Sequence, residues 1–312
     1  MSAKPILIAG PTASGKTALA LALAEIFDAE IINADALQLY ADLTVLTARP
    51  NAAEQARAPH HLFGVVDAQT AWSAGDWLRA AVSILDRLAQ AGRRAIVVGG
   101  TGLYFEALTR GLADVPDPGA QTRAAVDALY AEDGIGALRA EAQRLDPDAS
   151  ARVLGADRQR LSRIIAVAQG TGKPLSAWRA ETRPTLSPGA WIGIALAPTD
   201  RDALYARCDA RAAAMWAQGA LDEVRGLMAR GYDPDRGVGQ ALGVAPIADH
   251  LLGRCDGDTA LARLRQDTRR YAKRQLTWIR NRMADWSVID TLDPARQGLS
   301  ARAALETQDR IG

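Results

Sequence analysis

The chain holds 312 residues, 48% hydrophobic and 23% charged, the proportions of a globular protein that buries a core unaided. A disordered chain, a peptide hormone and a disulfide mini-scaffold are excluded. Thirty-seven basic against thirty-six acidic side chains leave a net charge of +1, which as a single number speaks against a nucleic-acid binder, and two cysteines with three histidines offer no zinc cluster or disulfide framework.

The first apolar run, Ile6 to Gly10, opens without a charged leader, and no stretch approaches the ~18 apolar residues of a membrane span. A soluble, cytoplasmic protein with no membrane contact is expected, and nothing asks for more than a monomer. The run leads into GPTASGKT, comprising Gly10, Pro11, Thr12, Ala13, Ser14, Gly15, Lys16 and Thr17, a match to G-x-x-x-x-G-K-[ST]. It stands between a predicted strand and an Ala/Leu-rich predicted helix over about 16 to 27, the context that motif needs. Gly10 and Gly15 permit conformations and close approach denied to a Cβ. The loop amides and helix N-terminus face phosphate oxygens, Lys16 adds a point charge, and the Thr17 hydroxyl suits Mg²⁺.

EIINAD (30 to 35) reads as a second strand with Asp35 at its carboxyl end, where ligands of open α/β sheets collect. A carboxylate there can take a proton or position a substrate donor, and can equally cap a helix or stand behind Mg²⁺; position alone divides these readings evenly. His60 and His61 lack acid or cysteine partners at ligand spacing, so no metal site is read there. A helix around 75 to 91 precedes a third apolar run, RAIVVGG (94 to 100). GGTGLYFEAL (99 to 108) follows, in which Thr101 can bond a substrate or cap the next helix.

Strands alternating with helices at this spacing indicate a parallel sheet. From about 117 to 183 Ala, Arg, Glu, Asp and Leu at helical spacing replace the β-branched runs. Within that stretch DRQRLSR (157 to 163) sets Arg160 and Arg163 one turn apart, an arrangement also expected of a solvated surface. WIGIALAP (191 to 198) then reads as a strand returning to the sheet, after which the chain is helical to about 283. Proline and glycine clusters, VPDPG and RPTLSPG, mark the boundaries. The expected fold class is α/β, a P-loop NTPase-like parallel sheet flanked by helices. Residues 1–116 and 187–312 form the core and 117–186 an all-α insertion.

The charge is unevenly spread. Residues 1 to 150 carry 12 basic and 18 acidic side chains, and residues 151 to 312 carry 25 and 18. The segment from Arg263 to Arg282 holds eight basic groups against one acid, Asp267, which accounts for the whole excess of the second half. At 100° per residue it is one amphipathic helix, with Leu261, Leu264, Thr268, Tyr271, Gln275, Trp278, Ile279 and Met283 on one arc and seven of the eight cations opposite. A solvated face usually interleaves both signs, whereas a one-signed row that includes Arg270, Lys273 and Arg274 suits polyphosphate or nucleic acid.

In order and spacing, GPTASGKT, EIINAD with QLY behind it, TARP, APHHLFG, GGTGLYFEAL, DRQRLSR, TGKPLSAW and TRRYAKRQLTWIRNR resemble the tRNA dimethylallyltransferase family over about the first 285 residues. The phosphate loop is shared by many families; GGTGLY and AKRQLTWIR are far more specific. The resemblance implies transfer of a dimethylallyl group from dimethylallyl diphosphate to N6 of adenosine 37 beside the tRNA anticodon, with release of diphosphate. It makes Asp35 the base on N6 and Thr101 a substrate-positioning and leaving-group contact, and it gives Ser14, Lys16 and Thr17 the diphosphate and Mg²⁺. It assigns RNA contacts to Asp35, Ala36, Leu37, Gln38, Thr101, Arg123, Gln159, Arg160, Leu161, Ser162, Arg163, Gln240 and Gly243. Ala36 stands where many members have serine, Leu46 and Arg49 lie in a segment that often reads GTAKP, and ALGV (241 to 244) replaces a Gly-Tyr pair. The zinc-finger extension of eukaryotic members is missing, as in bacterial-type enzymes. The enzymes competing for the same loop are a P-loop small-molecule kinase and a prenyltransferase acting on free adenylate; neither has use for the cationic helix or the insertion. A non-catalytic, nucleotide-regulated RNA binder would keep the loop and the helix but not need Asp35.

Overall fold

The computed structural model describes residues 3–70, 72–234 and 237–310. Chain contacts divide them into two compact units. One combines the first part of the chain, through Thr109, with everything from Leu186 onward, and the other is Arg110–Thr185. The second unit therefore begins ahead of the VPDPG cluster rather than at residue 117. No helix of the described residues is long and apolar enough to cross a membrane.

The first unit is built on β1 (Ile6–Ala9), α1 (Lys16–Phe27), β2 (Glu30–Asn33), a single-turn α2 (Ala52–Gln55), β3 (His60–His61), α3 (Ala74–Gln90), β4 (Ala95–Gly99) and α4 (Gly102–Thr109). The second unit is all helical: α5 (Ala120–Leu145), α6 (Pro147–Ser150), α7 (Arg158–Thr171) and α8 (Leu175–Ala180). The chain then rejoins the sheet with β5 (Ile192–Leu196), α9 (Arg201–Ala217), α10 (Ala220–Arg230), α11 (Val244–Leu251), α12 (Gly257–Arg282), β6 (Ser287–Ile289) and α13 (Pro294–Arg310).

Six strands make one sheet in the order β3-β2-β4-β1-β5-β6, every pairing parallel. Parallel strands need crossovers, and crossover helices cover both faces, which is why β1, β4 and β5 read as unbroken apolar runs. Alternate residues enter two separate cores. Ile6, Ile8, Ile96, Val98 and Ile194 pack with Leu19, Leu23 and Leu305 of α1 and α13. Leu7, Ala9, Val97 and Ala195 face the larger core, which holds Trp77, Phe105, Leu204, Leu264 and Leu276. From β1 the chain goes to β2 on one side and much later reaches β5 on the other, so strand order reverses beside β1, and the crevice at its carboxyl end is where such sheets take ligands.

α12 runs from Gly257, because the Asp256 side chain accepts the Thr259 amide and caps it there. Its buried face holds Leu264, Thr268, Gln275 and Ile279 of the expected arc, together with Ala260, Ala272 and Leu276. β3, β6 and α13 are not legible in the sequence: two or three residues show no periodicity, and α13 is alanine-rich with few large apolar residues. The helical unit has its own core, in which Val126, Leu138, Leu161, Ile165 and Leu175 meet. Asp146 joins its elements by accepting the Ala149 and Ser176 amides.

Candidate active site

The phosphate loop lies at the carboxyl end of β1, its start held by the Gly10 amide donating to Gly99 O at 3.3 Å. Ala13 and Gly15 both take positive φ, 64° and 96°, which turns the loop back on itself. Gly15 precedes α1 with no side-chain cap, so no side chain occupies the anion position at that helix N-terminus. Ser14 Oγ is buried without a hydrogen-bond partner, beneath Gly10. Lys16 folds over the loop and donates to Pro11 O at 3.1 Å. Burial lowers the Lys16 ammonium to about 8, with the charge of Asp35 opposing the shift and that of Arg211 adding to it.

Asp35 follows β2 and is 8% exposed. Its Oδ1 accepts the Leu37 amide at 3.1 Å and so caps the short 3₁₀ turn Ala36–Leu39. Among the described residues Oδ2 accepts no hydrogen bond, and it lies 3.2 Å from where a Cβ on Gly100 would stand. The capping and the chemical readings of this carboxylate are compatible, since each uses a different oxygen. Asn33 fixes the backbone below. Its Oδ1 accepts the Asp35 amide, and its Nδ2 donates to Asp35 O and Leu62 O.

Thr101 Oγ1 accepts the Ala36 amide at 2.9 Å and the Thr101 amide donates to Ala34 O, while the Tyr271 hydroxyl of α12 lies near Thr101. Burial, then the nearby Asp35 charge, push the Tyr271 and Tyr104 phenols up, so both stay neutral. Gly99 and Gly102 are required by close approach: a Cβ would overlap the Ala34 backbone at the first and the Trp278 ring at the second.

Arg211 of α9 lies in no motif that singles it out. Its Nη1 donates to Thr12 Oγ1 at 3.3 Å and its charge acts on Lys16. Desolvation by burial lowers its own pKa despite the pull of Asp35. A signal is nevertheless present, because Arg211 falls on the same helical stripe as the buried Leu204, Cys208 and Met215, a place for an arginine only if something polar lies beyond. Sequence reasoning also misses two glutamines as site residues. Gln275 accepts the Thr12 amide, and Gln297 of α13 donates to Ser14 O at 2.8 Å.

The remaining expected contacts divide. Ala36 and Leu37 commit their amides to Thr101 and Asp35, and Gln38 donates its side-chain amide to Thr47 O and Ala48 O. Two expectations are corrected. Leu161 is 0% exposed inside the helical core, and Gly243 is buried at the start of α11, where a Cβ would meet Leu46 and Leu264; neither presents a surface to RNA. Leu46 and Gly243, both in segments that depart from the family pattern, thus pack on one another. Gln240 is exposed in the turn before α11.

Among the cations of α7 and its surroundings, Arg123 pairs with Asp117, Arg158 with Asp127 at 3.0 Å and Arg160 with Asp157 at 3.2 Å. Gln159 and Arg163 are exposed and Ser162 half-buried. On α12, Arg263 pairs with Asp249, Arg269 with Asp209, and Arg270 distantly with Asp267. Lys273, Arg274 and Arg280 have no carboxylate partner among the described residues. Arg270, Lys273, Arg274, Thr277 and Trp278 together line an open hollow.

A family model described as IPP transferase matches residues 38–282, and one described as isopentenyl transferase matches residues 3–62. The tRNA dimethylallyltransferase of Caulobacter sp. (strain K31) is 55% identical over 292 residues, covering 93% of this chain and 94% of that one. That of Maricaulis maris is 52% identical over 97% and 98%. The crystal structure of a full-length tRNA isopentenylpyrophosphate transferase from Bacillus halodurans superimposes with a TM-score of 0.68 at 30% identity, covering 99% and 98%. A eukaryotic dimethylallyltransferase acting on tRNA gives 0.83 at 25%, covering 99% and 80%. The chain belongs to the tRNA dimethylallyltransferase family.

Proposed function

We propose that this chain transfers a dimethylallyl group from dimethylallyl diphosphate to tRNA, at the exocyclic N6 of adenosine 37. The observation that carries the reading is one crevice in which an uncapped phosphate loop with Lys16 and Arg211 faces the buried Asp35 carboxylate. A primary allylic carbon leaves its diphosphate with developing positive charge, so the departing anion must be stabilised. The amides at the start of α1, the Lys16 ammonium, drawn off Pro11 O, and the Arg211 guanidinium supply that. N6 is a poor nucleophile because its lone pair is delocalised into the ring. As the N6–carbon bond forms and the carbon–oxygen bond breaks, Asp35 Oδ2 takes the N6 proton. Thr101, with Tyr271 behind it, holds the backbone that carries Asp35.

The orphaned Ser14 hydroxyl and the Thr17 hydroxyl are hard oxygen donors beside the anion position and fit Mg²⁺. When bound, that ion neutralises charge on the diphosphate. Arg123, Arg158, Arg160 and Arg163 of the helical unit and Arg270, Lys273 and Arg274 of α12 are exposed and suit tRNA phosphates. One chain carries every group the reading uses, so a monomer suffices, and a tRNA substrate is met in the cytoplasm. The test is to incubate the protein with dimethylallyl diphosphate, Mg²⁺ and either an anticodon stem-loop with adenosines at positions 36 to 38 or free AMP, and to weigh the products. A prenylated stem-loop and unchanged AMP are expected; an unmodified stem-loop contradicts the reading.

A further inference from the structure

Two loops must be held at a fixed separation for this chemistry, and they come from different strands. The phosphate loop ends β1, and the GGTG loop, which carries Thr101 and backs Asp35, ends β4. Beyond the bond between Gly10 and Gly99 at their bases, a side chain from α12 spans them. Gln275 is 5% exposed; its Oε1 accepts the Thr12 amide at 2.8 Å and its Nε2 donates to Gly100 O at 3.0 Å. The amide orientation follows from the partners, because a backbone N–H must face the oxygen and a carbonyl the nitrogen. A Cβ on Gly100 would overlap Gln275 Nε2, so glycine there makes room for the bridge. The Thr12 amide is given up to this bond and is not free to donate to a phosphate.

We infer that Gln275 is a positioning residue that sets the distance between the leaving group and the attacking N6. The inference rests on the prenyl-transfer reading above. The linkage runs from Thr12 through Gln275 to Gly100, then along the chain to Thr101, whose hydroxyl holds the Ala36 amide next to Asp35. Only a side chain that is donor and acceptor at once closes it. Misplacing reacting groups by about 1 Å can cost on the order of 100-fold in rate.

The experiment compares native protein, Q275M and Q275E for kcat, KM for the stem-loop and melting temperature, with kcat measured across pH. Methionine keeps the shape and neither bond. An ionised glutamate can accept from Thr12 but repels Gly100 O, whereas a protonated one offers a hydroxyl donor and a carbonyl acceptor and restores both bonds. Expected are a fall of about 10- to 100-fold in kcat for Q275M with little change in KM for the stem-loop, and for Q275E a kcat that rises relative to native as pH falls. Taking the ratio to native at each pH removes the pH dependence that the two proteins share. A Q275M kcat close to native, a loss seen only in melting temperature, or a Q275E ratio independent of pH would each overturn the inference. Should Q275M not fold, the Q275E ratio decides alone. A native protein that does not prenylate the stem-loop defeats the underlying reading instead, and that result is separate.

Discussion

The crevice at the carboxyl end of β1 and the cationic surfaces of α7 and α12 are built on opposite principles. The crevice uses few groups, each enclosed and each held by a named partner: Lys16 on Pro11 O, Asp35 at the Leu37 amide, Thr101 at the Ala36 amide, Arg211 on Thr12. The surfaces use many charges on long, exposed side chains, several of them already neutralised by acids. Enclosed groups work at low effective dielectric, so each has a large effect that depends on its neighbours. Exposed charges are screened and add small, nearly independent increments. Substitutions in the two regions should therefore differ in size and in kind.

The largest effect should come from Asp35→Asn, which keeps an oxygen to cap the Leu37 amide and removes the base. A fall of about 10²- to 10⁴-fold in kcat is expected, with tRNA affinity nearly unchanged. Equal losses in single-turnover rate and in tRNA binding would dissolve the distinction between crevice and surface. Next is the pH dependence set by Lys16. Its ammonium is lowered to about 8 by burial, so above that pH the free protein must take up a proton to bind diphosphate, and KM for dimethylallyl diphosphate should rise. Arginine stays charged in that range, so in Lys16→Arg the rise should vanish whatever the absolute activity. A native KM flat through pH 9 would mean that the ammonium is not enclosed as described.

On the surface, replacing Lys273 and Arg274 with alanine should weaken tRNA binding by roughly tenfold at low salt and reduce the slope of log K against log salt by about 0.9 for each phosphate no longer neutralised. Smallest should be the same change at Arg158 and Arg160, which would have to leave Asp127 and Asp157 to meet a phosphate. If this pair alters the slope as much as Lys273 and Arg274 do, the ion pairs are not the restraint that divides the two helices.

The phosphate loop, the parallel sheet and α12 are legible in the sequence because each rests on local pattern: glycine spacing, β-branched runs and a period near 3.6. Asp35 is legible by position, but its double use is not, since nothing in EIINAD tells that Oδ1 caps a turn while Oδ2 stays unclaimed. Arg211, Gln275 and Gln297 reach the loop from residues about 200 to 280 positions away, and no local pattern carries that distance. Gln275 does fall on the correct, buried face of its helix, where periodicity alone reads it as packing rather than as a bridge. Leu161 and Gly243 mislead for the converse reason: a position carried across by motif says nothing of whether its own side is covered. His61 has no acid near it in sequence, yet its Nε2 meets Glu30 Oε2 at 2.6 Å across the sheet.

In the proposed reaction the phosphate loop holds a leaving group rather than a phosphoryl donor. The most direct test of this is the stoichiometry of one reaction with the anticodon stem-loop, dimethylallyl diphosphate, ATP and Mg²⁺ present together. One diphosphate released for each N6-prenylated adenosine, with ATP left intact, is expected. Orthophosphate or ADP formed in step with product, or diphosphate released with no prenylated stem-loop, would contradict it.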